Sequence, residues 1–184
     1  LGESLHLDSE RVALSRTSGE TFLLLGDELV PGRHHRELAK IRNEQIGFVF
    51  QFHYLLKDFT ALENVVVPAY LSGVSWKDST LRAEQLLDRV GLSKRLNHYP
   101  SQLSGGERQR TALARCLVNN PKVVLADEPT GNLDQENSLM VQKLLTDLAE
   151  EQGTTLIYVT HDPVFASMAP EQMRLERGSL VGRT

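Results

Sequence analysis

Short apolar runs set off by Gly, Pro, Asn and Asp alternate along this chain with stretches where apolar side chains recur every three or four positions. Up to about Phe50 the pattern is that of short strands and turns. Leu5 and Leu7 alternate with polar neighbours, Val12-Ala13-Leu14 is a brief run, residues 21–25 stop at Gly26-Asp27, and residues 46–50 stop at Gln51. From Thr60 to about Gln102 the period becomes helical, which predicts a small helical lobe. Thr60 and Glu63 form a capping box, and Pro68 is expected to end or kink that helix. Residues 76–90 place Ala83, Leu86, Leu87 and Val90 on one face, with Gly91 as the cap.

The last third predicts a helix over 108–119, a buried strand over 123–126, a helix over Gln135–Gln152 and a second buried strand over Thr155–Val159. The apolar face of the longer helix is Val141, Leu144, Leu145 and Leu148. Strand, helix, strand at this spacing implies a parallel crossover, hence an α/β fold with helices covering a mainly parallel sheet. Ligands of such sheets sit beyond the carboxyl ends of the strands. Asp127-Glu128 follows one strand and Thr160-His161 the other, so two reactive clusters are expected on one rim. The organisation expected is one domain: residues 1–59 as a β part with core strands, 60–102 as the helical lobe, and 103–184 as the catalytic half.

Composition narrows the function. The 184 residues carry 20 Lys+Arg against 24 Asp+Glu, a formal charge of −4, which argues against a nucleic-acid clamp and its basic stripe. A hydrophobic share of 40% with 24% charged residues suits a folded core rather than disorder. No apolar run approaches the roughly 18 residues needed to span a bilayer, so a membrane role is expected to come through a partner. The single cysteine, Cys116, excludes an intrachain disulfide and lies in an apolar helix, as core packing would have it. No signal peptide is visible, and the start at Leu1 suggests that the natural beginning lies elsewhere. His34-His35 lies in a basic polar stretch without a partner at metal-ligand spacing and is expected to be a solvated loop.

Two segments carry chemistry. A carboxylate closing a buried strand, as Asp127 does, is placed to hold a Mg²⁺ bound to nucleotide phosphates, and its neighbour Glu128 to act as general base. For the dipeptide alone, a turn before Pro129 is the favoured reading, and the surrounding sequence is what shifts it. In Leu103-Ser104-Gly105-Gly106-Glu107-Arg108-Gln109-Arg110, Ser104 and Glu107 form a capping box, and two glycines open the helix to close approach. Exposed amides and the positive end of the dipole make such a start anion-binding, although an ordinary cap reads the same way.

Taken in order, this octapeptide, the strand 123–128, Gly131-Asn132-Leu133-Asp134 and His161 resemble the ATP-binding cassette (ABC) ATPases. Leu103 to Gln109 is similar to that family's signature motif, Val123 to Glu128 to its Walker B strand, and Gly131 to Asp134 to its D-loop. His161 is similar to its switch histidine and Gln51 to its Q-loop glutamine. The resemblance implies a head-to-tail homodimer with two ATP molecules in its interface. It implies that Ser104, Gly105, Gly106 and Glu107, with Asp134, serve the nucleotide, and that Asp127 and Gln51 hold Mg²⁺. Glu128, His161 and Gln51 are then the catalytic set. The stretch from Phe48 to Leu56, followed by Asp58 to Val65, resembles most the ATPase subunits that power release of lipoproteins from the bacterial inner membrane. Macrolide-efflux and cell-division ATPases are near relatives. Transmembrane permease subunits are expected to dock near Gln51 and the helical lobe, on the cytoplasmic face. A DNA-maintenance ATPase would need heptads and basic surfaces, which are missing.

One motif is lacking. The phosphate loop reads G-x-x-x-x-G-K-[ST], and Lys follows none of the 13 glycines. Leu14 runs straight into Ser15-Arg16-Thr17-Ser18-Gly19-Glu20, which resembles family sequence beyond that loop and its helix. The adenine-stacking aromatic is not identified either. As written, the chain should bind ATP poorly or not at all. Either a segment of the natural protein is missing between Leu14 and Ser15, or this is a degenerate, non-hydrolysing subunit that serves as a partner-binding module. The presence of Glu128 and the other catalytic residues favours the first. Sequencing the gene or weighing the intact protein decides between them: a mass equal to that of these 184 residues contradicts the first explanation.

Overall fold

The parallel crossover expected from the last third of the sequence forms the centre of the molecule. In the computed structural model, residues 12–17, 20–25, 28–29, 35–176 and 179–182 are described, with side chains from residue 39 to 174 and at 181–182. Strands β4 (Ile46–Phe50), β5 (Val123–Asp127) and β6 (Thr155–Val159) make a parallel sheet in that order. Their register is strict: Ile46 lies opposite Val123, which lies opposite Thr155, and Phe50 aligns with Asp127 and Val159. Before this sheet, β1 (Val12–Thr17), β2 (Glu20–Leu25) and β3 (Glu28–Leu29) form an antiparallel sheet. Strand β1 runs without interruption across the Leu14–Ser15 junction, pairing Leu14 with Leu23 and Ser15 with Phe22. A closing hairpin joins β7 (Met173–Glu176) to β8 (Ser179–Gly182).

Helices α2 (Ala61–Leu71) and α3 (Trp76–Arg89) form the expected lobe, followed by a 3₁₀ turn at Pro100–Gln102. Helices α4 (Gly105–Leu117), α5 (Gln135–Gln152) and the short α6 (Pro163–Ala166) complete the second half. The cap signals in the sequence act where they were placed. Thr60 Oγ1 accepts from the Glu63 amide at 3.2 Å while the Glu63 carboxylate accepts from the Thr60 amide at 2.8 Å. Gly91 has φ +74° and Gly153 φ +65°, left-handed positions that end helices α3 and α5 with little strain.

One face of the sheet and both helical layers share a core. Val49, Val124 and Ala126 pack with Leu113 and Leu117 of α4, Leu145 and Leu148 of α5, Phe165, and with Val65, Ala69, Ala83 and Leu87 of the lobe. At Gly47 the sheet and α4 come close together: a Cβ there would meet the Cys116 carbonyl at 2.9 Å. Cys116 is buried as expected, and burial raises its thiol pKa to about 12. The other face is covered only at its amino end among the described residues, where Ile41 packs on Ile46 and Val123.

The structure corrects several expectations. Within the stretch expected to be short strands and turns, residues 35–45 form helix α1 (His35–Gln45), so His35 opens a helix rather than lying in a loop; His34 falls outside the described residues. Leu5, Leu7 and the Gly26-Asp27 turn lie outside them too. Pro68 does not end α2, which continues to Leu71. Its carbonyl accepts from Asn43 Nδ2 at 2.9 Å and Asn119 Nδ2 at 3.2 Å. The strand Thr155–Val159 is half-buried rather than buried, being at the edge of the described sheet with its second face open. Leu113→Ala, at a fully buried position touching lobe and sheet, should lower unfolding free energy by about 2–5 kcal/mol in urea denaturation. Thr60→Ala, which removes a cap alone, should cost about 1 kcal/mol.

Candidate functional site

Because the strands are in register, the residues that follow them emerge side by side. Gln51 follows β4, Glu128 follows β5 and Thr160-His161 follow β6. Glu128 adopts φ +44°, a left-handed conformation uncommon for a side-chain-bearing residue. Its amide still donates to Val159 O at 3.0 Å, so the sheet is extended by one bond while the chain turns. The turned carboxylate meets His161: Nδ1 lies 2.8 Å from Glu128 Oε1, and Thr160 Oγ1 lies 3.5 Å from Oε2. Asp127 closes β5 on the open face of the sheet and is exposed.

Gln51 is held against the loop after β5. Its Nε2 donates to Asn132 Oδ1 at 3.2 Å, and Asn132 Nδ2 donates to the Gln51 carbonyl at 3.2 Å. Gly131 lies against this contact, and a Cβ there would come 2.9 Å from Gln51 Nε2 and displace that side chain.

The start of α4 is built as the sequence predicts. Ser104 Oγ accepts from the Glu107 amide at 3.2 Å, and Glu107 Oε2 accepts from the Ser104 amide at 2.7 Å. Arg95 Nε donates to the other carboxylate oxygen at 2.8 Å. The Ser104 amide first, and Arg95 next, pull the Glu107 carboxyl down to about 2. Ser104 stays exposed, and the Gly105 and Gly106 amides begin the helix with no preceding turn to take them. This end abuts the start of α5. A Cβ on Gly106 would collide with Asn137 Oδ1, and Asp134 caps α5 by accepting from the Asn137 amide at 2.9 Å. That amide bond is the main reason the Asp134 carboxyl sits below its ordinary value. Two positive helix ends therefore lie together, a surface suited to anions.

The expected residues thus fall into two groups. Gln51, Asp127, Glu128 and His161 share the strand-end rim; Ser104, Gly105, Gly106, Glu107 and Asp134 share the paired helix starts. The sequence reading missed Asn132 as the partner of Gln51, although it lies inside a tetrapeptide already singled out. It also missed Arg95, which no spacing links to Glu107. Among the described residues no cluster of His, Cys, Asp and Glu is arranged to hold a metal by itself.

Residues 11–131 match the ABC transporter family. The chain is 53% identical over 148 residues to the lipoprotein-releasing system ATP-binding protein LolD of Treponema pallidum (strain Nichols), covering 80% of this chain and 66% of that one. It is 48% identical over 170 residues to the protein of the same name from Shewanella oneidensis, covering 91% and 72%. The chain thus spans about two thirds of the length of these curated relatives. Among solved structures it is similar to the ATP-binding cassette MJ0796 in a dimeric post-hydrolysis state bound to ADP and Pi. That match has a TM-score of 0.78 and 38% identity, and covers 88% of this chain and 71% of that one.

The Glu107 cap makes a pH prediction. Its carboxyl pKa is lower folded, about 2, than unfolded, so its stabilising contribution is complete above roughly pH 4.5 and is lost as pH falls toward 2. In urea denaturation across pH, Glu107→Gln should be less stable than the parent at neutral pH, with the gap narrowing below that point. A gap independent of pH contradicts the assignment.

Proposed function

The chain belongs to the ABC transporter family, and from that premise we propose that it is the ATP-hydrolysing subunit of a membrane transporter that releases lipoproteins from the bacterial inner membrane. The observation that carries this reading is the convergence of Gln51, Glu128 and His161 on one strand-end rim, beside helix starts whose amides are open to an anion. Asp127, exposed at the end of β5 beside that rim, fits a metal bound together with phosphates. Asp127 and Gln51 would hold Mg²⁺, which when bound neutralises phosphate charge.

In this mechanism Glu128 orients the attacking water and accepts its proton, and His161 fixes that carboxylate through Nδ1 while presenting its other face to the terminal phosphate. Ser104 and the amides of Gly105 and Gly106 bind that phosphate from a second copy, with Glu107 and Asp134 keeping the two helix starts in place. Dimer closure then moves the lobe. The exposed Phe52, Tyr54 and Leu56 after Gln51, with α2 and α3, make the surface on which the permease docks. In this arrangement residues 1–59, 60–102 and 103–184 are parts of one cassette. Among the described residues no helix is long and apolar enough to cross a membrane, which suits a peripheral subunit on the cytoplasmic face. Macrolide-type efflux and cell division are the alternative tasks for the same machinery.

The residues present fit the catalytic and trans-acting parts of the site; a Lys-bearing phosphate loop is not among them. Phe48 and Phe50 lie exposed, with ring centroids 5.9 Å apart, on the sheet face beside Asp127, a face that parallel α/β sheets cover with helix. That open face supports a loop-and-helix segment in the natural protein. The missing lysine favours, as a second reading, a partner-binding module that does not hydrolyse ATP. Nucleotide titration separates the two, and undetectable binding at millimolar MgATP selects the module.

Under the catalytic reading Glu128→Gln should retain ATP binding, abolish turnover and accumulate a dimer in gel filtration; near-normal phosphate release contradicts the role. Ser104→Arg should prevent ATP-dependent dimerisation, and unchanged dimerisation contradicts the placing of Ser104 at the phosphate.

A further inference from the structure

We propose that Gln109, a buried residue of α4, is the positioning residue that ties the start of α4 to the strand-end rim and so couples the two halves of the site within one subunit; this rests on the catalytic reading above. Gln109 lies one helical turn beyond Gly105 and is 1% exposed. Its Nε2 donates to Pro129 O at 2.6 Å and to Phe50 O at 3.3 Å. These carbonyls flank the reactive residues: Phe50 immediately precedes Gln51, and Pro129 immediately follows Glu128. A primary amide nitrogen carries two N–H groups, so one side chain serves both carbonyls at once.

The position of the bond gives it leverage. Glu128 is in a left-handed conformation, and the loop after it folds back with Gly131 N donating to Glu128 O at 3.1 Å. Gln51 is bound to that same loop through Asn132. Anchoring residues 50 and 129 from a buried point therefore fixes both ends of the Gln51–Asn132 contact and the turn that aims Glu128 at His161. The anchor sits on the helix whose first amides face the other copy. A shift of α4 on dimer closure is transmitted by Gln109 to the rim of its own subunit, not only to the partner's phosphate. The buried Gln109 Oε1 has no partner among the described residues, so the side chain is oriented by its donor alone.

Replacing the donor while keeping the shape tests this. In the full-length protein, Gln109→Leu removes both bonds, and Gln109→Glu keeps at most one, from the single O–H of a protonated carboxyl. We expect kcat for ATP to fall on the order of tenfold to a hundredfold, the loss that a small misplacement of catalytic groups produces, with KM changed by less than about twofold. Amide hydrogen exchange without nucleotide should accelerate at residues 51–52 and 128–133 while α2 and α3 keep their protection. Unchanged kcat with unchanged exchange at the rim overturns the proposal. So does an equal loss of protection in α2, α3 and the rim, which marks Gln109 as a core-packing residue. Should Gln109→Glu fail to fold, Gln109→Leu is read by the same criteria. Absence of ATP turnover by the parent protein defeats the catalytic reading, and the nucleotide-free exchange comparison then decides the role of Gln109 by itself.

Discussion

Parallel register is the constraint on which the site depends. Phe50, Asp127 and Val159 are aligned across β4, β5 and β6, so three chain segments distant in sequence leave the sheet at one level. A slip of one residue in β5 would turn Asp127 to the opposite face and carry Glu128 away from His161. The register is fixed in turn by the buried side of the sheet, where Val49, Val124 and Ala126 pack on α4 and α5. Burial on one face thus specifies the positions of polar groups at its edge.

The second organising element is the pair of helix starts. Gly106 lets α4 come against Asn137, and the caps at Ser104 and Asp134 hold both first turns rigid. The lobe contributes through Arg95, whose bond to Glu107 links the segment after α3 to the same cap. That segment is itself pinned to the start of α2, with Leu62 N donating to Leu96 O and Ala61 N to His98 O. A continuous path of hydrogen bonds therefore runs from the beginning of α2 to Ser104.

Much of this was legible in the sequence, for identifiable reasons. The helix Gln135–Gln152 and the strand Thr155–Val159 were placed to the residue, since an amphipathic period between Asp134 and Gly153 leaves little freedom. The capping boxes at Thr60 and Ser104 were readable because both partners lie within four residues. The convergence of Asp127-Glu128 with Thr160-His161 followed from the crossover rule alone. What was not legible depended on contacts across long separations. Helix α1 has a mostly polar sequence, and what ties it in place includes Ile41 against the sheet and the bond of Asn43 to Pro68 O, contacts that span distant residues. The exposure of β6 reflects which neighbours cover it, which its own apolar run does not encode. The bonds of Asn132 to Gln51 and of Arg95 to Glu107 join residues whose spacing carries no signal.

The central claim is that the amides opening α4 act on a nucleotide seated at the rim of a second copy. The most direct test is a crystal structure of the natural full-length protein with Mg²⁺ and a non-hydrolysable ATP analogue. The account predicts two nucleotides in a two-fold interface, each with Glu128 and His161 of one subunit on one side and Ser104 to Gly106 of the other facing its terminal phosphate. A nucleotide contacted by the α4 start and the strand-end rim of the same subunit, or bound by a monomer with that start in solvent, contradicts it.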